Sequence, residues 1–357
     1  MQGYFVLFIF FITGILIYLE DYLGKYKLSA YLFIAIMLIL IAGFREIGID
    51  ADSENYEYMY HNHFSNKLSN AVEYSFFFFS KILNYLSNDV HILFLLYAFL
   101  GVALKFIAFR TLSEYWFLPV IVYIGYYYEY HECMEIRTGV LSAFMLLSVK
   151  PLCEGKKWQA LLLLAIGGFF HYSVLMLIPL FFLSNEVMSK KQRVLWGMAV
   201  PLGYFFYFSG FSLLLNIAVE LPYLGPKLAL YQTDAERGII QTSLNVFTPL
   251  NFFNIALYYY LLFFHDTIVQ SNKYFPFLIK LFAIGLFCFP TFAVIPVLAQ
   301  RTSMQFEVAT IILFTNIFYT LKPKWFGLLA VILIAFIFLN YSLPEIGTHI
   351  LWKGDAK

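Results

Sequence analysis

The chain of 357 residues is 61% hydrophobic and 13% charged, with a net charge of +1. Soluble domains are about 45–50% apolar and about 25% charged, so a soluble globular protein is excluded and an integral membrane protein is expected. The near-neutral charge gives no sign of a nucleic-acid partner. Cys133, Cys153 and Cys288 have no metal-ligand spacing and form no disulfide framework.

Apolar runs recur from Tyr4 to Leu343, so the fold class is all-α: a polytopic membrane protein of roughly 10–14 transmembrane or re-entrant helices, in one membrane domain over 1–357. The first span, Gly3–Leu19, lacks a basic leader and a small-residue cleavage site, and reads as a retained helix. Leu28–Phe44 is the second. The loop 45–73 follows, and after it Tyr74–Leu86, which is short enough to lie in the interface or half insert. Further spans are Val90–Phe109, Tyr115–Tyr128 and Arg137–Val149. Then come Val194–Ser209, Val246–Phe264, Tyr274–Val297, Phe306–Leu321 and Trp325–Leu343.

Lysines orient these spans. Lys25, Lys27, Lys105, Lys150, Lys156, Lys157, Lys190, Lys191, Lys273, Lys322 and Lys324 mark one face, read as cytoplasmic. The acidic loop 45–73, the segment Glu129–Arg137 and the loop 220–245 fall on the other. Trp158–Leu183 has basic clusters at both ends. It is either one long tilted helix or a re-entrant pair of half-helices turning near Gly167, Gly168 and His171-Tyr172-Ser173. Irregular backbone at that depth survives only where protein or water satisfies it.

Four of the six arginines, Arg45, Arg137, Arg237 and Arg301, fall opposite the lysines. A guanidinium there needs a partner, and its planar fork suits a phosphate or pyrophosphate. Arg45 opens Arg45-Glu46-Ile47-Gly48-Ile49-Asp50-Ala51-Asp52-Ser53-Glu54-Asn55-Tyr56, where an arginine, a glycine turn and clustered carboxylates could hold a phosphate and sugar hydroxyls. A calcium loop would need a fuller ligand pattern than Asp50, Asp52 and Glu54 provide, and a solvated acidic loop is the plain alternative. In His131-Glu132-Cys133-Met134-Glu135-Ile136-Arg137, His131 and Glu135 share a helix face. Two such ligands do not make a zinc site, and Arg137 could instead pair with Glu132 or Glu135. His171 is either a core histidine or a site residue. No metal and no cofactor are expected.

These residues, in this order, resemble the EpsG-like branch of the Wzy-type polysaccharide polymerases. The matching features are Arg45, Gly48, Asp50 or Asp52 and Tyr56 after an early span, and the pair Ile136-Arg137 opening another. Lys156-Lys157 then precede Phe170-His171-Tyr172-Ser173 and Pro179, with a late Arg301. Thr138 stands where such proteins usually carry Gln. The resemblance implies a membrane-embedded, GT-C-like glycosyltransferase of the bacterial inner membrane, with its active site facing the periplasm or outside. It would transfer a growing glycan from undecaprenyl pyrophosphate onto a lipid-linked repeat unit, without a metal. Its substrates would be undecaprenyl-pyrophosphate-linked oligosaccharides, and its partners a repeat-unit flippase and a chain-length regulator. Arg137 and Arg301 would bind the donor pyrophosphate, with Arg237 also among the binding residues. Arg45, Asp50, Asp52 and Tyr56 would hold acceptor lipid or sugar. For the base, His131, Glu135, Asp52 and His171 stay open, with Glu135 and His131 favoured for their distance from Arg137. An O-antigen ligase-like transferase, or a transporter or flippase of lipid-linked sugars, are the alternatives. A transporter would carry charges deep in its spans, whereas here they are expected near the ends, Lys280 being the closest exception.

Overall fold

The computed structural model describes residues 2–62, 73–209 and 244–342, and among them it is all-helical, with no strand. In chain order the helices begin with α1 (Gln2–Leu19), α2 (Lys27–Gly43), α3 (Ser53–His61) and α4 (Tyr74–Leu86). Next are α5 (His91–Leu112), α6 (Phe117–Tyr126), α7 (Ile136–Cys153) and α8 (Lys157–Phe170). After a 3₁₀ segment at Tyr172–Phe182 come α9 (Lys190–Gly197), α10 (Ala199–Phe208) and α11 (Pro249–Phe263). The last are α12 (Phe275–Thr291), α13 (Pro296–Glu307) and α14 (Lys324–Ser342). Among the described residues α1, α2, α5, α7 and α14 are long and apolar enough to cross a membrane.

The chain divides into two compact units. The first holds 1–185, 266–275 and 310–357, and the second 186–265 and 276–309. In the second, Tyr258 and Tyr259 of α11 donate to the carbonyls of Trp196 and Gly197, each at 2.8 Å, and tie α11 to α9. Thr248 caps α11, its hydroxyl accepting the Asn251 N–H at 3.2 Å.

In the first unit the basic face is anchored by Glu20. Its carboxylate pairs with Lys27 at 2.7 Å and accepts the backbone N–H of Trp116 at 2.6 Å, where α6 starts. The expected span at Tyr115–Tyr128 is helical as α6, and past a turn at Tyr127 the chain stays helical into a π-helical stretch, the π turn, at Tyr130–Met134. Glu129, His131 and Glu132 are each 1% exposed while Glu135 and Arg137 are half-buried, so the acidic segment Glu129–Arg137 is largely packed inside the protein.

Lys105 does not mark the basic face: its ammonium lies 2.6 Å from Glu132 Oε1 and donates to the Gly139 carbonyl at 2.7 Å. Gly101 lies beside the pair, and a Cβ there would fall on Glu132 Oε2. Gly101 is ten residues along α5 from His91, about 15 Å into the helix. Charges thus do lie deep in this bundle, against the expectation that they stay near span ends. They occur as a closed pair because an isolated ion at that depth is costly.

The run 158–183 is interrupted at His171, whose backbone is extended (φ −153°, ψ 132°). Gly167 and Gly168 remain helical within α8. α8 and the 3₁₀ segment contact each other at this break, and α8 packs along α7.

Candidate active site

The loop after α2 is built around Arg45 and Asp50. Arg45 Nε donates to Asp50 Oδ2 at 3.0 Å and Nη1 to the Ala42 carbonyl at 2.9 Å. Its guanidinium carbon sits 3.6 Å from the centre of the Phe94 ring. Asp50 Oδ1 accepts the N–H groups of Asp52 at 3.0 Å and Ser53 at 2.8 Å, and so closes the first turn of α3. Gly48 turns the chain with φ +85°, a conformation that disfavours any side chain, and donates its N–H to Ser53 Oγ at 2.8 Å. Both charged side chains are fully buried, and Arg45 Nη2 has no hydrogen-bond partner among the described residues. The loop is thus a compact hydrogen-bonded turn rather than a solvated acidic one. Asp52 is half-buried beside it.

α3 carries Tyr56 inward. Its hydroxyl donates to the Met134 carbonyl at 2.8 Å, linking this loop to the end of the π turn. Its ring lies 5.6 Å from that of Phe76 and 6.4 Å from that of Phe94. Burial pushes the Tyr56 hydroxyl up to about 12, with the Arg137 charge opposing the shift.

Arg137, on the first turn of α7, meets this cluster from the other side. Its guanidinium is 5.7 Å from the ring centres of both Tyr56 and Phe76. Its Nη1 bonds Glu73 Oε2. Glu132 is engaged by Lys105 instead. Glu73 precedes α4, and its carbonyl accepts the N–H of Phe76 at 3.1 Å. Its second oxygen, Oε1, lies 3.3 Å from His171 Nε2. His171 Nδ1 accepts the Ser173 N–H at 3.1 Å and lies 2.7 Å from Ser173 Oγ. The break between α8 and the 3₁₀ segment therefore delivers an imidazole to the carboxylate that faces Arg137. The Arg137 side chain remains 19% exposed, whereas that of Arg45 is sealed.

His131 is a core histidine in its surroundings, with its ring 5.1 Å from that of Tyr127 and Nδ1 3.3 Å from Ser142 Oγ. Glu135 is half-buried at the junction of the π turn and α7, its N–H donating to the Tyr130 carbonyl at 2.6 Å. Arg301 is half-buried within α13 of the second unit. Arg237 lies outside the described residues, as does most of the loop 220–245. Glu73 was not singled out from the sequence: it closes the polar loop, and its partners are 64 and 98 residues away. Lys105 was misread because an apolar window reports helix but not pairing. Among the described residues, no three His, Cys, Asp or Glu side chains converge as a metal centre would require.

Short and long helices around a largely buried polar cluster that joins Arg137, Glu73, His171 and Tyr56 define a polytopic membrane protein. The chain belongs to the EpsG family, whose model matches residues 28–349. It is similar to the amylovoran biosynthesis protein AmsC of Erwinia amylovora, at 24% identity over 284 residues, 75% of this chain and 73% of that protein. No solved structure matches it.

Proposed function

We propose that this protein is a polymerase of a bacterial exopolysaccharide or related surface glycan. It transfers a growing chain from undecaprenyl pyrophosphate to a hydroxyl of a lipid-linked repeat unit. Membership of the EpsG family and similarity to a protein named for amylovoran biosynthesis support the polysaccharide assignment. One observation carries the chemistry: a partly exposed arginine, Arg137, pairs with a carboxylate that also faces a histidine, on segments brought together from three parts of the chain.

In the reaction a pyrophosphate departs from the anomeric carbon and gathers negative charge. A fixed guanidinium in a low-dielectric site stabilises that charge without reorganising. Arg137 takes this role, and Arg301 and Arg237 are added as anion-binding residues on the sequence resemblance alone. The Arg45–Asp52 turn and Tyr56 shape the acceptor side, Arg45 acting through the loop that it holds. Charge carried by the arginines makes the transfer independent of a metal ion. The lysines Lys25, Lys27, Lys150, Lys156 and Lys157 orient the basic face to the cytoplasm, so the reaction takes place at the outer face of the inner membrane. There a flippase would supply repeat units and a chain-length regulator would set product size.

The transporter reading draws on charges buried deep in the bundle. Lys105 and Glu132 are such charges, but they are sealed against each other and a backbone carbonyl, which supports a structural pin over a substrate path. The test is to incubate the purified protein with its lipid-pyrophosphate-linked repeat unit and a chelator, and to resolve the products on a gel. A ladder that Arg137→Ala abolishes is the expected result. Lipid binding with no ladder from the wild-type protein overturns the polymerase assignment.

A further inference from the structure

The sequence left the base of the transfer open, and the geometry around His171 narrows it. A backbone N–H can only donate, so the Ser173 N–H at 3.1 Å assigns Nδ1 of His171 as the bare nitrogen. In the neutral ring the proton then sits on Nε2, the nitrogen 3.3 Å from Glu73 Oε1. Thus the lone pair of His171 is directed into its own chain, and its N–H toward Glu73. A group in that state presents no acceptor to a substrate hydroxyl. His131 is no better placed, being 1% exposed beside Tyr127 and Ser142. Asp50 has Oδ1 on two backbone N–H groups and Oδ2 on Arg45. Glu73 differs from these: one oxygen faces His171 and the other holds Arg137, the residue that a pyrophosphate would claim.

We infer that Glu73 is the general base of the glycosyl transfer and that His171 is the positioning residue that holds its carboxylate. This rests on the polymerase reading and deepens it. Without donor, Arg137 neutralises Glu73. When the donor pyrophosphate takes the guanidinium, Glu73 Oε2 loses its partner while Oε1 stays against the imidazole. The acceptor hydroxyl oxygen then bonds to the anomeric carbon as that carbon's bond to the pyrophosphate oxygen breaks. The hydroxyl proton passes to Glu73, and the electron pair of the broken bond leaves with the pyrophosphate, which Arg137 holds. Donor binding and base release are one event, so a lone acceptor meets a carboxylate that is already paired.

Two conservative variants separate the assignments in the detergent-purified full chain. Glu73→Gln keeps size but cannot take the proton, and its amide oxygen can accept from only one of the two donors that the carboxylate faces. Its kcat should fall roughly a thousandfold, within the range for loss of a general base, with donor affinity retained and the acid limb of the kcat–pH profile removed. His171→Gln replaces the Nε2 donor by an amide N–H and should stay within about tenfold of wild type, the scale of one altered hydrogen bond. Thermal unfolding of each variant checks folding, and Glu73→Asp, which keeps the carboxylate, should recover part of the rate. Polymerisation by Glu73→Gln within about threefold of wild type, under one hydrogen bond's worth of barrier, overturns the assignment. So does loss of donor binding in step with turnover, which marks Glu73 as structural, or a His171→Gln variant as slow as Glu73→Gln, which makes the imidazole the base. All of these leave the wild-type ladder, and hence the polymerase reading, intact; a wild type that binds donor and makes no ladder overturns both.

Discussion

Lys105 and Glu132 form a sealed ion pair, Nζ 2.6 Å from Oε1, with side chains 0% and 1% exposed. The same carboxylate oxygen accepts the Tyr123 hydroxyl at 2.6 Å, and the same ammonium reaches the Gly139 carbonyl at 2.7 Å. Three helices and the π turn therefore meet at one charge pair. Removing one partner of such a pair strands the other and costs about 3–5 kcal/mol, whereas removing both is far milder. Lys105→Met and Glu132→Gln should each lower the unfolding midpoint in detergent strongly, and the double variant should be more stable than the sum of the two predicts. Additive losses in the double-mutant cycle would show that the pair is not coupled.

Gly101 gives the same contact from the other side. A Cβ at this position would fall on Glu132 Oε2 and lie 2.9 Å from its Cδ. The neighbour is a side chain held by two hydrogen bonds, so it cannot swing away freely. Gly101→Ala should cost about 1–3 kcal/mol, the usual penalty for overpacking, and the loss should shrink when Glu132 is already Ala. An unchanged midpoint for Gly101→Ala would mean that the carboxylate is not fixed there.

The limits of the sequence follow from what each pattern measures. Tyr74–Leu86 was expected as a short helix and is α4 residue for residue, because an apolar run bounded by polar residues fixes length well. The interruption near His171 was one of two readings left open by an apolar run with basic clusters at both ends, and the extended backbone of His171 supplies the break. Lys105 was not, since its counter-charge sits 27 residues away in a turn that the apolar pattern assigned to the surface. Glu73 was hidden for a related reason. It is one acid at the edge of a polar loop, and only the tertiary fold sets it between Arg137 and His171.

Asp50 should matter more to the loop than its charge alone suggests. It accepts two backbone N–H groups at the start of α3 and pairs with a fully buried Arg45. Loss of a capping acceptor costs about 0.5–2 kcal/mol, and a stranded buried guanidinium adds to that. Asp50→Ala should therefore destabilise the protein by at least 2 kcal/mol, an order-of-magnitude sum of these two effects. Asp52→Ala, at a half-buried side chain, should leave the midpoint close to wild type. Equal effects of the two substitutions in a thermal unfolding assay would contradict the arrangement.

Tyr56 sets an alkaline limit on this site. Its hydroxyl is raised from 10.0 to about 12, first by burial and against the Arg137 charge. A folded-state value above the unfolded one means the fold favours the neutral form. The stabilisation is fully present below pH 10 and is lost as pH rises from there through about 12. Tyr56→Phe should remove this part of the alkaline loss, at a cost of about 1 kcal/mol at neutral pH for the bond to Met134. Stability profiles of the two proteins that stay parallel between pH 9 and about 12 would show that Tyr56 is not the group titrating.

Arg137 offers the sharpest separation of charge from geometry. Lysine in its place keeps the cation but loses the planar fork that grips two phosphate oxygens at once. It also loses the flat face that lies 5.7 Å from Tyr56 and Phe76. A lysine can still approach Glu73, so the resting pair and the fold should survive, and thermal unfolding should change little. The transition state is more demanding, because the departing pyrophosphate needs donors already in place, and losing one such donor costs about 10²–10³ in kcat. Arg137→Lys should therefore make a ladder at least a hundredfold more slowly, within that range, with Arg137→Ala slower still. Full activity in the lysine variant would show that a point charge suffices and that the bidentate role is wrong.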